Sequence, residues 1–336
     1  MNGHIAMNNT WGLIVVVVLL AMAGAVPAGE RIFVPGAALE VVSDHGAGEG
    51  PAWHPELGLL SSGGSVYRHS REGETTVFIK DAGTNGLLFD RQGRLLACQP
   101  SQRRVIRREA DGAITELTSS YGGVPYNQPN DLTVDSQNRI YFTDPQYGSR
   151  ESMKMLDSDG TRIEGVYRID LDGSVTRILT HEVDRPNGVL VSPDDRHLFV
   201  ADNNNNTQGG ARRLYRFRLL ADGSVDLASQ KLLFDWRDGR GPDGLVQDIK
   251  GRLYVAGGRS KAAPPYENVD FKGGVYVFSS RGKLLDFVAV PTDEVTNCTF
   301  GGDDLRTLFI TAGGTLYSIR TQTAGWLPWP QQEQGK

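Results

Sequence analysis

The sequence predicts an all-β fold, a six-bladed β-propeller built around a central channel. A hairpin pattern occurs six times between Glu49 and Ala312: a residue with a side-chain oxygen, an apolar strand, a polar turn and a second apolar strand. Apolar strands bounded by Gly, Asp and Lys are typical of β-hairpins. The copies recur at intervals close to the roughly 40–50 residues of a four-stranded blade, and the longer intervals leave room for loops. The 41 glycines and 39% hydrophobic residues fit a turn-rich β protein with a large core.

The fifth copy, residues 241–256, shows the repeated plan most clearly. Asp243 precedes a short apolar strand, and a turn at Gly251 leads to a second apolar strand. Most of the outer strands that follow each copy end in Asp-Gly turns, which also indicate hairpins. We therefore expect each copy and its outer strands to form one blade. The residues that open the six copies are Glu49, Asn85, Asn130, Asn187, Asp243 and Asn297.

The segments outside the repeat have expected places in the propeller. The extended stretches 32–34 and 39–42 precede the first copy, and we expect an N-terminal strand to complete the last blade. Such a strand closes the ring and removes exposed sheet edges. Two long loops, 146–164 and 258–272, interrupt the rhythm. Because long ordered loops are often binding elements, we expect both near the mouth of the channel.

The first 28 residues are predicted to be a secretory signal peptide rather than part of the fold. An apolar run covers 13–23, and Val26-Pro27-Ala28 could serve as a cleavage site, although no Lys or Arg precedes the run. The propeller domain is then 29–336, and the mature protein is expected in the periplasm or outside the cell. The alternative is an uncleaved membrane anchor at residues 11–26, which is short against the roughly 20 residues of a spanning helix.

Composition and charge exclude several other kinds of protein. The net charge of −5 gives no reason to expect nucleic-acid binding, and no protein partner is implied. The two cysteines and six histidines have no zinc-type spacing. Cys98 and Cys298 belong to different copies of the repeat, so we expect no disulfide between them.

The six opening residues predict a ring of oxygen atoms in the channel. Equivalent positions of a propeller's inner strands face one another across its axis, and hard cations such as Ca²⁺ take 6–8 oxygen ligands. Two carboxylates would neutralise a divalent charge, and the absence of His and Cys from the ring argues against the usual zinc site. A single Asn-Gly or Asp-Gly pair is an ordinary turn signal. Six copies in phase favour a metal site over turn chemistry.

The motifs also resemble those of a known family, the gluconolactonase, senescence-marker-protein and luciferin-regenerating-enzyme family. The resemblance covers about Glu49 to Ala312, with one motif in each of several successive blades. Residues 143–148 and 164–167 are similar to the bacterial gluconolactonase branch in particular. The motifs that carry the resemblance are Glu49-Gly50-Pro51-Ala52-Trp53, Gln128-Pro129-Asn130-Asp131-Leu132, Arg185-Pro186-Asn187-Gly188-Val189, Gly241-Pro242-Asp243-Gly244 and Thr296-Asn297-Cys298-Thr299-Phe300-Gly301-Gly302.

The resemblance implies a six-bladed propeller with one catalytic divalent cation in its channel. Ca²⁺ is the favoured ion, with Zn²⁺, Mg²⁺ and Mn²⁺ as alternatives. Asn85 and Asn297 match the ring position but not the family's ligand set, so they are interpreted as channel-lining. The positions that carry over as metal ligands are Glu49, Asn130, Asn187 and Asp243, and Asp243 also matches the family's catalytic acid/base.

The substrate contacts are less closely defined by the resemblance. Some members of the family place Arg two residues before the ligand that corresponds to Asn130, and this chain has Gln128 there. We interpret Gln128 as a hydrogen-bonding contact and not as a charge clamp. Asn130 could also touch substrate hydroxyl groups, and Tyr147, in the first long loop, could line the pocket. Asp131 and Asp144 are either supports for the ligands or structural turn residues.

The function expected from these residues is hydrolysis of a small-molecule sugar lactone, such as gluconolactone, to its aldonic acid. The cation would polarise the lactone carbonyl, and Asp243 would act either as the general base or as a nucleophile. Two alternatives remain open. One is a non-enzymatic sugar- or protein-binding propeller with a structural calcium, since fold alone does not define function. The other is a phosphotriesterase of the diisopropyl-fluorophosphatase kind.

Overall fold

Six antiparallel sheets of four strands each form a β-propeller in the computed structural model, which describes residues 31–329. The predicted signal peptide, residues 1–28, and the alternative anchor at residues 11–26 lie outside the described residues. Within the described range, no helix has the length and apolar character needed to span a bilayer. The six-bladed all-β prediction is confirmed.

The strands are numbered in chain order, beginning with β1 (Glu40–Ala47). Blade 1 contains β2 (Glu49–His54), β3 (Gly58–Gly63), β4 (Ser65–His69) and β5 (Thr75–Ile79). Blade 2 contains β6 (Leu87–Phe89), β7 (Leu95–Gln99), β8 (Arg104–Arg108) and β9 (Ile114–Thr118). A small hairpin follows, formed by β10 (Ser120–Tyr121) and β11 (Val124–Pro125).

Blade 3 contains β12 (Leu132–Val134), β13 (Ile140–Asp144), β14 (Gly165–Ile169) and β15 (Val175–Leu179), with a short 3-10 helix at Arg150–Ser152. Blade 4 contains β16 (Pro186–Val191), β17 (His197–Asn203), β18 (Arg212–Leu219) and β19 (Val225–Asp235). Blade 5 contains β20 (Pro242–Gln247), β21 (Leu253–Gly257), β22 (Gly274–Phe278) and β23 (Leu284–Ala289). The last three strands are β24 (Val295–Gly301), β25 (Thr307–Ala312) and β26 (Gly314–Arg320).

The ring closes with a strand from the other end of the chain. β1 pairs antiparallel with β26, with Glu40 opposite Ser318, and so becomes the outermost strand of blade 6. The expected closure by an N-terminal strand is therefore confirmed. On the inside, the first strand of each blade contacts the first strand of the next, in the cycle β2, β6, β12, β16, β20, β24 and back to β2.

The core lies between neighbouring sheets, which explains the composition of the inner strands. β16 and β20 are buried at every residue, and so are β13 and β22. A strand that is covered on both faces favours apolar residues throughout, and each large side chain buried in this way contributes roughly 1.5–3 kcal/mol. The outer strand β23 instead exposes Leu284 and Leu285. Packing therefore fixes the inner strands, which carry the opening residues of the repeat.

The inner-hairpin turns of blades 2, 3 and 5 share one polar arrangement, seen most fully after β20. Asp248 Oδ1 accepts hydrogen bonds from the backbone N–H of Lys250 (2.9 Å) and Arg252 (3.0 Å). Its Oδ2 accepts from Arg252 Nε (2.6 Å) and from the hydroxyl of Tyr254 (3.2 Å). The same pattern occurs at Asp135 in blade 3. These buried hydrogen bonds satisfy both oxygens of the carboxylate and hold the two inner strands in register.

The C-terminal segment closes one end of the channel. Trp326 donates its backbone N–H to the carbonyl of Gln247 (2.9 Å), and Trp329 packs against Phe89 of blade 2. Trp326 and Leu327 line an axial cavity of about 50 Å³ to which all six blades contribute residues. The channel therefore has an apolar floor.

Candidate metal centre

The residues that open the six copies lie within two residues of the start of the innermost strand of each blade, where their backbones connect neighbouring blades. Gly86 in blade 2 donates its N–H to the carbonyl of Asn130 in blade 3 (2.8 Å). Thr143 Oγ1 in blade 3 donates to the carbonyl of Asn187 in blade 4 (2.6 Å). These hydrogen bonds join the inner strands of neighbouring blades at the opening residues and bring the repeats together around one axis.

Two of the glycines that follow the opening residues are required by close approach between blades. A Cβ atom on Gly188 would lie 2.2 Å from the carbonyl oxygen of Asp243 in the next blade. A Cβ atom on Gly244 would lie 2.0 Å from the side chain of Asn297. Both glycines are inside strands, so turn chemistry, which the six copies in phase already disfavoured, does not explain these Asn-Gly and Asp-Gly pairs. The pairs mark the crowded inner ring of the propeller.

Asp243 has the most informative surroundings in this ring. Its carboxylate is 2% exposed, and Oδ2 accepts a hydrogen bond from Arg240 Nη2 (3.1 Å). Oδ1 is buried and has no hydrogen-bond partner among the described residues. Burial raises the pKa of Asp243, and the neighbouring Arg240 and Asn187 oppose that shift. A buried carboxylate oxygen without a partner is costly unless another group satisfies it.

Glu49 shares the channel with Asp243. Its side chain is half-buried, and loss of solvation raises its pKa well above the usual range. The next largest causes are the negative charges of Asp243 and Asp131. Carboxylates whose negative charges raise the pKa of Glu49 mark a site where a positive charge would be stabilised. These groups therefore fit a divalent cation.

Asn187 joins the same site through its amide. Nδ2 donates to the hydroxyl of Tyr147 (2.6 Å), and Asn187 is 4% exposed. Asn130 is also buried, and its backbone is part of the inner ring. The structure thus brings Glu49, Asn187 and Asp243 into one electrostatic environment, with Asn130 on the adjacent blade. Two carboxylates and two amides form an all-oxygen donor set of the kind that Ca²⁺ prefers.

Clusters of other ligand types do not compete with this site. Within residues 31–329, no three or more His, Cys, Asp or Glu side chains come together as a group that could hold a metal ion. The candidate centre is not a group of this kind, because two of its four proposed donors are the amides of Asn130 and Asn187. Cys98 and Cys298 are both buried free thiols.

Comparison with known proteins identifies the family. Residues 47–314, most of the chain, match the family described as "SMP-30/Gluconolactonase/LRE-like region". The chain belongs to this family. The gluconolactonase from Xanthomonas campestris, a solved structure, is 30% identical with a TM-score of 0.70, and the match covers 87% of this chain and 94% of that one.

Curated relatives carry lactonase names. A gluconolactonase of Zymomonas mobilis is 27% identical over 253 residues, which is 73% of this chain but 65% of that protein. Pentonolactonase XacC of Haloferax volcanii is 27% identical over 278 residues, with 80% of this chain and 81% of that protein covered. The structure of the calcium-binding protein regucalcin from Agrobacterium tumefaciens has a TM-score of 0.66 at 19% identity, covers 87% and 96% of the two chains, and supports the fold alone.

Gln128 has a structural role in holding the first long loop. Gln128 Oε1 accepts a hydrogen bond from the backbone N–H of Tyr147 (2.8 Å). The side-chain amide oxygen of Gln128 therefore positions the first long loop. Asp144 supports the segment before Asn130 in a similar way, since its Oδ2 accepts from the N–H of Asn127 (2.9 Å), and burial raises its pKa to about 8. Asp131 instead acts on the channel through its charge, and burial raises its pKa to about 7.

Sequence reasoning missed an ion cluster beside Asp243. Arg240 is buried, and its Nη1 lies 3.2 Å from Glu294 Oε1 and 3.7 Å from Glu267 Oε1. Arg259 contacts the same two glutamates, at 2.9 and 2.6 Å. Glu267 and Arg259 come from the second long loop, 258–272, so that loop reaches the ring. The one signal in the sequence is Arg240 itself, which stands three residues before Asp243.

Proposed function

We propose that this protein is a divalent-cation-dependent hydrolase of sugar lactones, which opens a lactone such as gluconolactone to the aldonic acid. The proposal rests mainly on the hydrogen bonding of the Asp243 carboxylate. Arg240 holds one of its oxygens, and the other is buried without a protein partner in a ring with Glu49 and Asn187. The names of the relatives, gluconolactonase and pentonolactonase, support the lactone substrate.

The residues that would hold the cation are Glu49, Asn130, Asn187 and Asp243. Their oxygen-only donor set favours Ca²⁺, and the fold is shared with a protein described as calcium-binding. When bound, such an ion supplies Lewis-acid polarisation of a carbonyl oxygen, an effect worth several kcal/mol.

Asp243 would act as the general base in this scheme. The carboxylate accepts a proton from the attacking water as the C–O bond to the carbonyl carbon forms. When the ring C–O bond breaks, the same proton passes to the leaving alkoxide, and the product is the hydroxy acid. General-base help of this kind typically contributes ~10²–10⁴-fold to the rate. Direct attack by Asp243 on the carbonyl carbon is the competing assignment.

The remaining groups of the site would bind and orient the sugar. Because the C-terminal segment covers the floor, substrate would enter on the side of the two long loops. Asn130 would contact hydroxyl groups there, the loop residue Tyr147 would line the pocket, and Gln128 would contribute through the loop that it supports. We also retain the proposal that residues 1–28 direct export and leave a propeller domain, 29–336, in the periplasm or outside the cell.

A substrate panel tests the proposed function against its alternatives. We expect the purified protein with Ca²⁺ to hydrolyse gluconolactone well above the spontaneous rate, and an aryl ester and a phosphotriester much more slowly. Acid release at constant pH measures the lactone reaction, and chromophore release measures the other two. Preference for the phosphotriester would favour the phosphotriesterase alternative. Turnover of none of the three would favour the binding propeller.

A further inference from the structure

Tyr147 stands out because it contacts a candidate ligand from a loop. Its hydroxyl lies 2.6 Å from Asn187 Nδ2, and its ring lies under the guanidinium of Arg185, with 5.5 Å from the guanidinium carbon to the ring centroid. Arg185 and Asn187 are two residues apart at the start of β16. One residue of the loop is therefore held by two side chains of the strand that carries the ligand.

The loop is fixed to that strand by buried charges. Glu164, which ends the loop, accepts a hydrogen bond from the backbone N–H of Gln146 at the loop's beginning (2.7 Å). It also accepts from Arg185 Nε (3.0 Å) and from Arg150 Nε. Glu164 and Arg185 are both buried, 5% and 0% exposed. Since breaking such a pair leaves a charge without a partner, the loop has one strongly preferred position.

The bond between Tyr147 and Asn187 restricts the side chain of the ligand. A phenol hydroxyl can accept from an amide N–H or donate to an amide oxygen, so it holds Asn187 in either orientation of the amide. Groups that hydrogen-bond to ligands in this way set ligand orientation, and their loss typically costs 10–100-fold in metal affinity. Arg185 keeps the ring in place, and Glu164 keeps Arg185 in place.

We propose that Tyr147 is a positioning residue for the cation site: it holds Asn187 against the channel, and the buried pair Glu164–Arg185 holds Tyr147. This inference rests on the proposed function, because it needs a cation at the ring. It differs from a role for Tyr147 in substrate binding alone. A positioning residue changes cation affinity in the absence of substrate, whereas a substrate contact changes only the KM for the lactone.

The test is calorimetric titration of Ca²⁺ into cation-depleted protein without substrate. Tyr147→Phe keeps the aromatic ring against the Arg185 guanidinium and removes only the hydroxyl, so we expect the Kd for Ca²⁺ to rise about 10–100-fold. Glu164→Gln touches no candidate ligand and should weaken Ca²⁺ binding in the same direction. The matched control is Tyr317→Phe, which removes a hydroxyl bonded to Thr292 Oγ1 (2.6 Å) in blade 6 and should leave the Kd unchanged.

Kinetics separate positioning from substrate contact. The lactonase rate of Tyr147→Phe should recover toward the wild-type rate as Ca²⁺ is raised above its new Kd, with the KM for the lactone little changed. Unchanged Ca²⁺ affinity in both Tyr147→Phe and Glu164→Gln would overturn the inference, as would a raised KM that no Ca²⁺ concentration corrects. If the wild-type protein itself binds no divalent cation, the proposed metal centre fails, and this inference fails with it.

Discussion

Replacing Asp243 with Asn is expected to lower kcat for gluconolactone by about 10²–10⁴-fold while the fold is retained. The amide has nearly the same shape and still offers an oxygen to a cation, but it cannot accept the proton of the attacking water. With its one oxygen toward the cation, the amide presents its NH2 group to Arg240, so the hydrogen bond from Arg240 is lost while the shape of the side chain is kept. Initial rates of acid release at constant pH, corrected for spontaneous hydrolysis, give the loss directly.

The control for this substitution is Asp304→Asn. Asp304 is half-exposed and pairs with Arg320 at the periphery of blade 6 (2.6 Å). Exposed pairs contribute little to stability, so this variant should keep the wild-type kcat. Hydrolysis by Asp243→Asn at the wild-type rate would remove Asp243 from the chemistry and would contradict the role given to it here.

Removal of divalent cations is expected to abolish lactonase activity and to lower thermal stability. Without a cation, Glu49 and Asp243 lie in a poorly solvated site, as their raised pKa values indicate, and the charge of Asp243 disfavours that of Glu49. A ligand that binds only the folded state stabilises it by about 2.7 kcal/mol at a concentration 100 times its Kd. Dialysis against a chelator, followed by thermal unfolding and rate measurements, tests both effects.

Adding Ca²⁺ back to the chelated protein distinguishes a catalytic ion from a structural one. Ca²⁺ should restore activity and thermal stability together, and with a similar concentration dependence. If Ca²⁺ restored thermal stability while the chelated protein was already fully active, the ion would be structural, as in the non-enzymatic alternative. If neither property responded to chelation, the oxygen ring would not be a metal site.

Most of the architecture could be predicted from the sequence because its signals are local and repeated. Each hairpin carries its own alternation of apolar residues and its own turn, so six copies define six inner hairpins without knowledge of long-range contacts. The position of β1 beside β26 also follows, since a ring of blades must satisfy its edges. The phase of the repeat placed the six opening residues at equivalent positions, and the structure has them at the start of the inner strands.

The parts that could not be predicted depend on contacts outside the repeat. Glu267 pairs with both Arg240 and Arg259, and it lies in an irregular loop. Such a loop has no repeated sequence pattern from which its contacts could be predicted. The contact between Tyr147 and Asn187 likewise depends on the buried pair Glu164–Arg185. The packing role of the glycines in the Asn-Gly and Asp-Gly pairs could not be predicted for a related reason. Their constraint comes from the neighbouring blade and not from their own backbone conformation.

The most direct test of the central claim is an anomalous-difference map from crystals grown or soaked with Ca²⁺ or Mn²⁺. We expect one strong peak on the propeller axis, within about 2.3–2.6 Å of oxygen atoms from Glu49, Asn130, Asn187 and Asp243 for Ca²⁺. A map in which those four side chains share no peak, in crystals of protein that hydrolyses lactone, would contradict the account.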